Sequence, residues 1–475
     1  MQRLRDLVVV VPGIGGSVLS GADAVVWETE PAALAGLVFR PGAVDLRRFP
    51  ELRPTGLVRT FSAFGSLLTI YGYDTLHRLL ADNFDRVVTH TYQQGAPVPP
   101  NTDVLLFPYD FRRSVSDAAE HLARAVRAAL GDETKRRVIV LAHSMGGLVA
   151  RYWIGPLEGW KVCCALLTLG TPHRGAPKAI DWLVRGPGVG LLRHPGARSV
   201  LREWPSMYEL LPQYEAVWDE SAGREVELTE LRPSKYADRF ARMAAAGRRT
   251  HEDIATGWND IPPYGRPDVV PYFGRGHATP NLVVRGSDGR LTITKTDPAW
   301  RGNEGWAGDG TVPVLSAIPR ELGESRAVWR AVRDRHGPIA NAAAIVEQLS
   351  SYSGAALPTR GGDTPERPWL GLDVDEIVPS GVESEIGVVV QPENLGAAEV
   401  HVTLTTVPAS AQPVFEGPMR GGGRTWTATL PPLRPGRYRL DFEAQRVAGP
   451  ESVFARADVV VLDPAAEADF DGASS

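Results

Sequence analysis

The stretch RVIVLAHSMGGLV at residues 137–149 decides the fold of this chain. Its first part, Arg137 to Leu141, is rich in β-branched residues and leucine and predicts a buried strand, while a helix is expected to begin near Gly146. Small residues surround Ser144 between them, so the backbone is able to turn sharply and expose the serine hydroxyl above the end of the strand. This is the pattern of a nucleophile elbow, G-x-S-x-G, with Ala142 replacing the first glycine.

Similar apolar runs alternate with helical patterns over the first 170 residues. Leucine recurs at helical spacing in 74–83 and in 117–130, and strands separated by such helices indicate a parallel sheet that is covered on both faces. We therefore expect an α/β fold with a doubly wound, mostly parallel sheet. The other predicted strands are Leu7–Val11, Asp103–Phe107 and Ala165–Leu169, with Arg86–His90 as a weaker candidate.

The chain has 475 residues, of which 43% are apolar and 23% charged, and its formal net charge is -5. These values are typical of soluble globular proteins of two or three domains and exclude wholesale disorder, a fibrous repeat and a membrane bundle. The negative charge gives no basis for nucleic-acid binding. We expect a cytoplasmic protein, because the first apolar run is too short for a secretion signal and no stretch approaches a membrane span.

The two cysteines, Cys163 and Cys164, are adjacent in a predicted strand, where successive side chains point to opposite faces. We therefore expect neither a disulfide nor a metal site there, and no other cluster of cysteine, histidine and carboxylate residues has metal-ligand spacing. No cofactor is predicted.

Changes in composition predict how the chain is divided. Tryptophan and proline are concentrated in one part of the α/β domain, which we interpret as an inserted cap over the site or, equally, as additional core. Short alternating strands with Gly- and Pro-rich turns near the C-terminus predict a small all-β, immunoglobulin-like sandwich. The predicted units are an α/β domain at 1–350 with its cap at about 181–280, a linker at 351–368, the sandwich at 369–463 and a disordered tail at 464–475.

A serine nucleophile needs a base, and in elbow folds the acid and then the histidine follow the serine in the chain. The candidate base is His336, which stands on a loop before a predicted helix, because His401 further on falls in a strand of the sandwich. The candidate acid is Asp309, which glycines on both sides place on a tight loop. Asp288, in a predicted hairpin turn, is the alternative acid.

Two backbone N–H groups are expected to stabilise the oxyanion of the reaction. One is that of Met145, directly after the candidate nucleophile, and the other is that of Ile14, in the glycine-rich loop after the first strand. Such a loop also occurs at phosphate sites, but neither a complete Gly-x-Gly-x-x-Gly nor a Walker A motif is present.

Three other polar features have a structural interpretation beside a functional one. His173 is interpreted as a structural or rim residue, and His143 as a side chain that packs or hydrogen-bonds beneath the elbow. Asp110 and Arg112 follow a predicted strand, where they form a structural ion pair or bind a head group.

Five short motifs occur in a characteristic order along the chain: VPGIGGS at 11–17, PYDFR at 108–112, AHSMGG at 142–147, PSMYELLP at 205–212 and GDGTVP at 308–313, followed by His336. Together they resemble the lecithin–cholesterol acyltransferase family, over about residues 5 to 350. The Pro-Tyr-Asp-x-Arg and Gly-Asp-Gly-Thr-Val elements are more selective than the elbow, which many lipases share.

The resemblance implies an α/β-hydrolase in which Ser144 is the nucleophile, Asp309 and His336 are its partners, and Ile14 and Met145 are oxyanion donors. It also implies a lipid ester substrate, met for instance at a membrane surface, and acyl transfer through an acyl-serine to an alcohol or water.

This chain departs from the animal members of the family in carrying no cysteine pairs, no secretion signal, an added sandwich, and Phe111 where they carry tryptophan. Sterol acceptors are therefore not predicted, and the sandwich is a candidate for binding a protein or a surface. Two alternatives stay open: a serine hydrolase acting on a non-lipid ester, thioester or amide, and a recognition protein with an inactive hydrolase scaffold.

Overall fold

A computed structural model describes most of the chain. The predicted linker lies mostly at 353–367 and the predicted tail at 464–475, both outside the described residues. The described residues are 3–22, 24–28, 41–58, 61–62, 69–70, 73–131, 135–186, 188–189, 192–193, 195–228, 237–297, 307–341, 344–352, 368–375, 377–391, 395–407, 412–447 and 452–462.

The centre of the molecule is a seven-stranded sheet in which every pairing is parallel. Its central strand, Leu7–Val11, reads LVVVV, and all five side chains are buried, because layers of structure cover both faces of the sheet. The predicted α/β fold is confirmed. From one edge to the other the strands are Arg330–Val332, Asp268–Gly274, Cys163–Leu169, Val138–His143, Leu7–Val11, Val104–Leu106 and Thr89–Thr91.

Helices separate consecutive strands of this sheet along the chain, except between Thr89–Thr91 and Val104–Leu106. In the long helix Val115–Leu130, Ser114 caps the first turn by accepting from the N–H of Asp117, and Leu122 and Val126 lie on the buried face. The helices of the described residues are Tyr73–Asn83, Val115–Leu130, Gly146–Ile154, Pro177–Arg185, Pro195–Leu201, Pro205–Glu209, Ala237–Asn259, Val314–Ala317 and Ala344–Tyr352.

The predicted range of the cap, 181–280, extends too far. Its last part contains the strand Asp268–Gly274, which pairs with Cys163–Leu169 in the main sheet. Pro271 lies in the middle of this strand, and a proline within an apolar run argues against a central strand, so the sequence did not predict it. The neighbouring strand Arg330–Val332 pairs with Asp268–Gly274 only from Tyr272 onwards.

Smaller sheets lie outside the main sheet. The hairpin Leu282–Arg285 with Leu291–Thr294 is antiparallel and belongs to a mixed four-stranded sheet. In spatial order the smaller sheets comprise Arg224–Val226, Val217–Asp219, Leu282–Arg285 and Leu291–Thr294; Val25–Trp27, Ser17–Ser20 and Arg53–Leu57; Phe61–Ser62 and Thr69–Ile70; and Gly188–Val189 and Leu192–Arg193.

Two further sheets, which we call the sandwich, occupy 369–462 and bury one common core. Val388 and Trp426 from the first sheet pack in the same apolar cluster as Leu404 and Phe442 from the second. Antiparallel pairing dominates, apart from one parallel pair at the edge of the second sheet. The first sheet runs Trp369–Asp373, Ser384–Gln391, Thr425–Leu430 and Arg420–Gly422, and the second runs Ile377–Pro379, Val453–Leu462, Gly436–Gln445, Glu399–Thr406 and Phe415–Pro418.

The carboxyl ends of the parallel strands bring the candidate site together at one edge of the main sheet. The loops after Leu7–Val11, Val138–His143, Cys163–Leu169 and Arg330–Val332 all begin at this edge. Within the described part of the chain, no helix combines the length and the apolar character needed to cross a lipid bilayer.

Candidate active site

Ser144 occupies a strained turn directly after the strand Val138–His143. Its φ is 52°, a left-handed value that non-glycine residues rarely adopt, and such strain is found mostly at functional sites. The turn is so tight that a Cβ on Gly146 would lie 2.5 Å from the carbonyl oxygen of Pro12. A Cβ on Gly147 would collide with the side chain of Thr171. Both glycines are therefore required by the close packing of the elbow.

The imidazole of His336 lies within hydrogen-bond reach of this serine. Its Nε2 is 3.0 Å from Oγ of Ser144, and its Nδ1 is 2.7 Å from Oδ2 of Asp309. Because a carboxylate only accepts, Nδ1 carries the proton and donates it to Asp309, so Nε2 accepts from the serine hydroxyl. All three side chains are buried, with 4%, 3% and 1% of the serine, histidine and aspartate exposed.

Asp309 is held as a carboxylate by the loop that carries it. Its Oδ1 accepts from the N–H groups of Thr311, at 2.9 Å, and Val312, at 2.7 Å. Burial alone would raise the pKa of Asp309, but the neighbouring His336 and these N–H groups outweigh it, and the pKa is lowered. The carboxylate is thus ionised at neutral pH and orients the histidine.

Two glycines leave room for this pair. A Cβ on Gly170, whose φ is 60°, would stand 3.0 Å from both Oδ2 of Asp309 and Nδ1 of His336. A Cβ on Gly274 would lie 2.6 Å from that of Asp309. Larger residues at either position would push Asp309 away from His336.

The glycine-rich loop after Leu7–Val11 lies against Ser144. A Cβ on Gly13 would stand 2.8 Å from Cβ of Ser144, and Gly16 closes the loop by donating to the carbonyl of Gly13 at 3.0 Å. The N–H groups of Ile14 and Met145 have no hydrogen-bond partner among the described residues, although both side chains are buried. Two free backbone donors therefore flank the serine.

His143 connects the loops on either side of the elbow. Its Nε2 donates to the carbonyl oxygen of His336 at 2.9 Å, and its Nδ1 lies 3.2 Å from the hydroxyl of Tyr73. That hydroxyl also accepts from the N–H of Gly13 at 3.1 Å. Burial, and then the charge of His336, lowers the pKa of His143 to about 3, so it is neutral and its Nδ1 accepts from Tyr73.

A second buried imidazole, His277, also holds the loop that carries His336. Its Nε2 donates to the carbonyl of Arg333 at 2.7 Å, and its Nδ1 accepts from the N–H of Leu372 in the sandwich at 3.0 Å. Its own N–H donates to the carbonyl of Gly308 at 3.1 Å. Burial, followed by the charge of Arg335, lowers the pKa of His277 to about 4. One neutral histidine thus connects three segments: the loop before Asp309, the loop before His336 and the sandwich.

The alternative site residues lie elsewhere. Asp288 is in an exposed hairpin turn, where its carboxylate accepts from the N–H of Arg290 at 2.9 Å. His401 lies in the sandwich and pairs with Glu399 at 2.7 Å. His173 lies near Thr168, with Nε2 at 3.2 Å from its hydroxyl, and lines a separate cavity.

Asp110 and Arg112 form a buried pair rather than an open head-group site. Nε and Nη2 of Arg112 donate to the two carboxylate oxygens of Asp110, each at 2.8 Å, and Nη1 donates to the carbonyl of Phe49 at 2.9 Å. The guanidinium is completely buried. This geometry fixes the loop after Val104–Leu106.

Sequence reasoning missed Tyr73 and His277. Tyr73 begins a helix far from every motif, and His277 stands in an irregular segment within the predicted cap. Neither has a local signal, because each acts through contacts with residues distant in the chain.

Residues 64–256 match the model of the lecithin:cholesterol acyltransferase family, which confirms the resemblance drawn from the motifs. The GPI inositol-deacylase of the yeast Debaryomyces hansenii is 30% identical over 124 residues. That match covers 23% of this chain and 12% of the deacylase, so the chain spans a small fraction of that relative.

Among solved structures, the Bacillus licheniformis lipase BlEst2 in its mature form aligns with 74% of this chain and 92% of its own, at 11% identity and a TM-score of 0.34. Its propeptide form aligns with 96% of this chain and 93% of its own, at 10% identity and the same TM-score of 0.34. The CARDB domain of a Pyrococcus furiosus protein aligns with 20% of this chain and 88% of its own, at 14% identity and a TM-score of 0.15.

Proposed function

We propose that this protein is a serine-dependent lipid acyltransferase or lipase that works through an acyl-Ser144 intermediate. The observation that carries the proposal is the continuous hydrogen-bonded chain from Ser144 Oγ through His336 to Asp309, on a strained elbow at the carboxyl edge of a parallel sheet. The family match supports lipid esters as the substrate class.

In the acylation step, His336 Nε2 takes the hydroxyl proton of Ser144 while Oγ bonds to the ester carbonyl carbon. The carbonyl π electrons move to its oxygen, which the N–H groups of Ile14 and Met145 stabilise. When the carbon–oxygen bond of the ester breaks, Nε2 returns the proton to the leaving alcohol. Asp309 stays ionised and stabilises the imidazolium that forms between these events.

Deacylation repeats the sequence with a second nucleophile. An alcohol or a water molecule loses its proton to His336 Nε2 and attacks the acyl carbon, and Ser144 recovers the proton as the acyl group leaves. An alcohol acceptor gives a new ester, and water gives the free acid. The balance between the two depends on which acceptor the site admits.

The proposal is tested by intact mass after incubation with mixed phospholipids and simple esters of increasing acyl length. We expect an acyl adduct that maps to Ser144, and fluorophosphonate labelling of the wild type but not of Ser144→Ala. Turnover confined to short, water-soluble esters would instead identify a non-lipid serine hydrolase. Absence of both labelling and adduct in folded protein would reject the serine mechanism and leave a recognition protein on an inactive scaffold.

A further inference from the structure

A cavity of about 500 Å³ lies beside the active site, between the helices Gly146–Ile154 and Ala237–Asn259 and the residues 319–321. We call it the basic cavity, because four arginines outnumber the two carboxylates in its lining. Ser144, Asp309 and His336 are not among its described lining residues, so it is separate from the reacting groups. Its charged and imidazole lining consists of Arg151, His173, Arg174, Arg248, His251, Glu252, Arg320 and Glu321.

Two of the four guanidinium groups already have carboxylate partners. Arg151 pairs with Glu321 at 2.5 Å and lies over the ring of Trp258 at 4.6 Å. Arg248 pairs with Glu227 at 2.8 Å. In each pair the opposite charges cancel, so Arg151 and Arg248 help to define the shape of the cavity but add little to its positive electrostatic potential.

The other two, Arg174 and Arg320, have no carboxylate within ion-pair distance among the described residues. Nη2 of Arg320 donates only to the carbonyl of Gln213, at 2.7 Å, and Nε of Arg174 is buried without a hydrogen-bond partner in this part of the chain. Burial, followed by the charge of Arg320, lowers the pKa of Arg174. Arg174 is half-buried and lies near the like charge of Arg320, so a bound anion would reduce the electrostatic cost of holding this guanidinium there.

The remaining carboxylate of the lining does not serve as that anion. Glu252 is exposed on the helix Ala237–Asn259 and forms no ion pair among the described residues. The apolar part of the lining comes from Leu148, Ile254 and Trp258. The space thus combines unpaired cations with an apolar wall, and it is much larger than a small inorganic ion.

We propose that the basic cavity binds the phosphate group of a phosphate ester whose organic part lies against Leu148, Ile254 and Trp258. A phosphate presents several acceptor oxygens in an arrangement that planar guanidinium groups bind with paired hydrogen bonds. The same group occurs in phospholipid head groups and in soluble phosphate esters. This assignment is independent of the proposed serine chemistry.

The test is calorimetric titration of the full-length Ser144→Ala protein with inorganic phosphate against chloride at equal ionic strength, because binding does not need the nucleophile. We expect saturable binding that weakens roughly tenfold or more in Arg320→Gln and in Arg174→Gln. Arg249→Gln, an exposed neighbour outside the cavity with the same charge change, should bind like the parent. Arg320 is exposed, so its variant remains informative if Arg174→Gln fails to fold.

A second titration separates the two sources of the phosphate. Phosphatidylcholine vesicles with phosphatidic acid are compared with vesicles of phosphatidylcholine alone. Binding to phosphatidic acid that Arg320→Gln loses and Arg249→Gln keeps identifies a lipid head group, while binding of inorganic phosphate alone identifies a soluble ester. Absence of saturable binding in both titrations, or an equal loss in Arg249→Gln, overturns the proposal.

Discussion

Two buried histidines, His143 and His277, hold the loop that carries the candidate base His336 with the same pattern of hydrogen bonds. Each donates from Nε2 to a backbone carbonyl of the loop 333–336 and accepts at Nδ1. They differ in what lies behind them. His143 is backed by Tyr73 in the α/β core, whereas His277 is backed by Leu372 in the sandwich.

The two halves of the candidate site therefore depend on different parts of the chain. Ser144 and the glycine-rich loop are held by contacts within the α/β domain, including those of Tyr73. The loops that carry Asp309 and His336 also contact the sandwich. Nη2 of Arg335 donates to the carbonyl of Val374 at 2.9 Å, and Gly371 packs so closely that a Cβ there would collide with the carbonyl of Gly276. The sandwich is thus part of the support of the site as well as an added module.

The largest loss of activity is expected at His336, and the effects of substituting His143 and His277 are compared with it. His336→Ala should lower kcat by about 10⁴-fold or more, since it removes the only base within reach of Ser144 among the described residues. The measurement is steady-state hydrolysis of an ester that the wild type cleaves. His401→Ala is the matched control, and a loss there as large as in His336→Ala would contradict the assignment.

The pH dependence of folding should distinguish the two imidazoles. In the unfolded chain both take up a proton near the ordinary histidine pKa of about 6.5, whereas in the folded protein the values are about 3 for His143 and about 4 for His277. Between these values the unfolded state binds more protons, so stability is lost as the pH falls. For His277 the loss is about 3 kcal/mol.

Chemical denaturation between pH 7 and 4 measures this loss. The wild type should lose more free energy of unfolding over that range than His277→Gln, because glutamine does not titrate. The corresponding window for His143 extends further, toward pH 3. Identical pH profiles for the wild type and His277→Gln would show that the imidazole is not held neutral.

Paired substitutions of His143 should separate its two hydrogen bonds. Glutamine reproduces the donor at Nε2 and asparagine the acceptor at Nδ1, so His143→Asn frees the carbonyl of His336. We expect kcat to fall about 30-fold in His143→Asn and less in His143→Gln, since an unmet buried hydrogen bond costs about 1–3 kcal/mol. KM should change little. Equal values of kcat in the two variants would show that the bond to His336 does not position the base.

The same pair at His277 should give smaller losses, about tenfold in kcat for His277→Asn, because it holds Arg333 rather than the base itself. His277→Gln keeps that bond but loses the acceptor for Leu372 in the sandwich. A loss in His277→Gln, with the fold intact by near-ultraviolet circular dichroism, would therefore report on the sandwich. Wild-type kcat in both variants would remove His277 from the support of the site.

The smallest effect is expected at the surface between the two regions. Lys295 pairs with Asp373 of the sandwich, but the side chains are 46% and 43% exposed, so Lys295→Ala should lower the free energy of unfolding by less than about 1 kcal/mol and leave kcat unchanged. Arg456→Ala, which breaks an exposed pair within the sandwich, is the control. A clear loss of activity in Lys295→Ala alone would show that this pair, and not His277, is the contact with the sandwich that activity requires.

Much of the fold could be predicted because its signals are local. The run Leu7–Val11 and the turn around Ser144 each carry their pattern within a few residues. Asp309 and His336 could be named because their order in the chain and the flanking glycines restrict the choice. The side-chain contacts of Tyr73 and His277 could not be predicted, since each depends on a fold that brings together residues 56 to 95 positions apart.

The end of the cap was mispredicted for a related reason. A strand between two parallel neighbours needs no alternating pattern, and Pro271 within Asp268–Gly274 reads as a breaker until the pairing is known. The pair of Asp110 with Arg112 shows the opposite case, where the residues were found but only their burial decided between an ion pair and an open site.

The contact between His277 and Leu372 also has a consequence for biosynthesis. When residue 352, the end of the last helix before the sandwich, has emerged from the ribosome, Ser144, Asp309 and His336 are already outside, but Leu372, whose N–H donates to His277, is still within the exit tunnel. Domains generally fold in the order of their synthesis. The loop that carries the base is therefore held from one side only until the sandwich has emerged and docked, which places the final ordering of the site late in the life of the nascent chain.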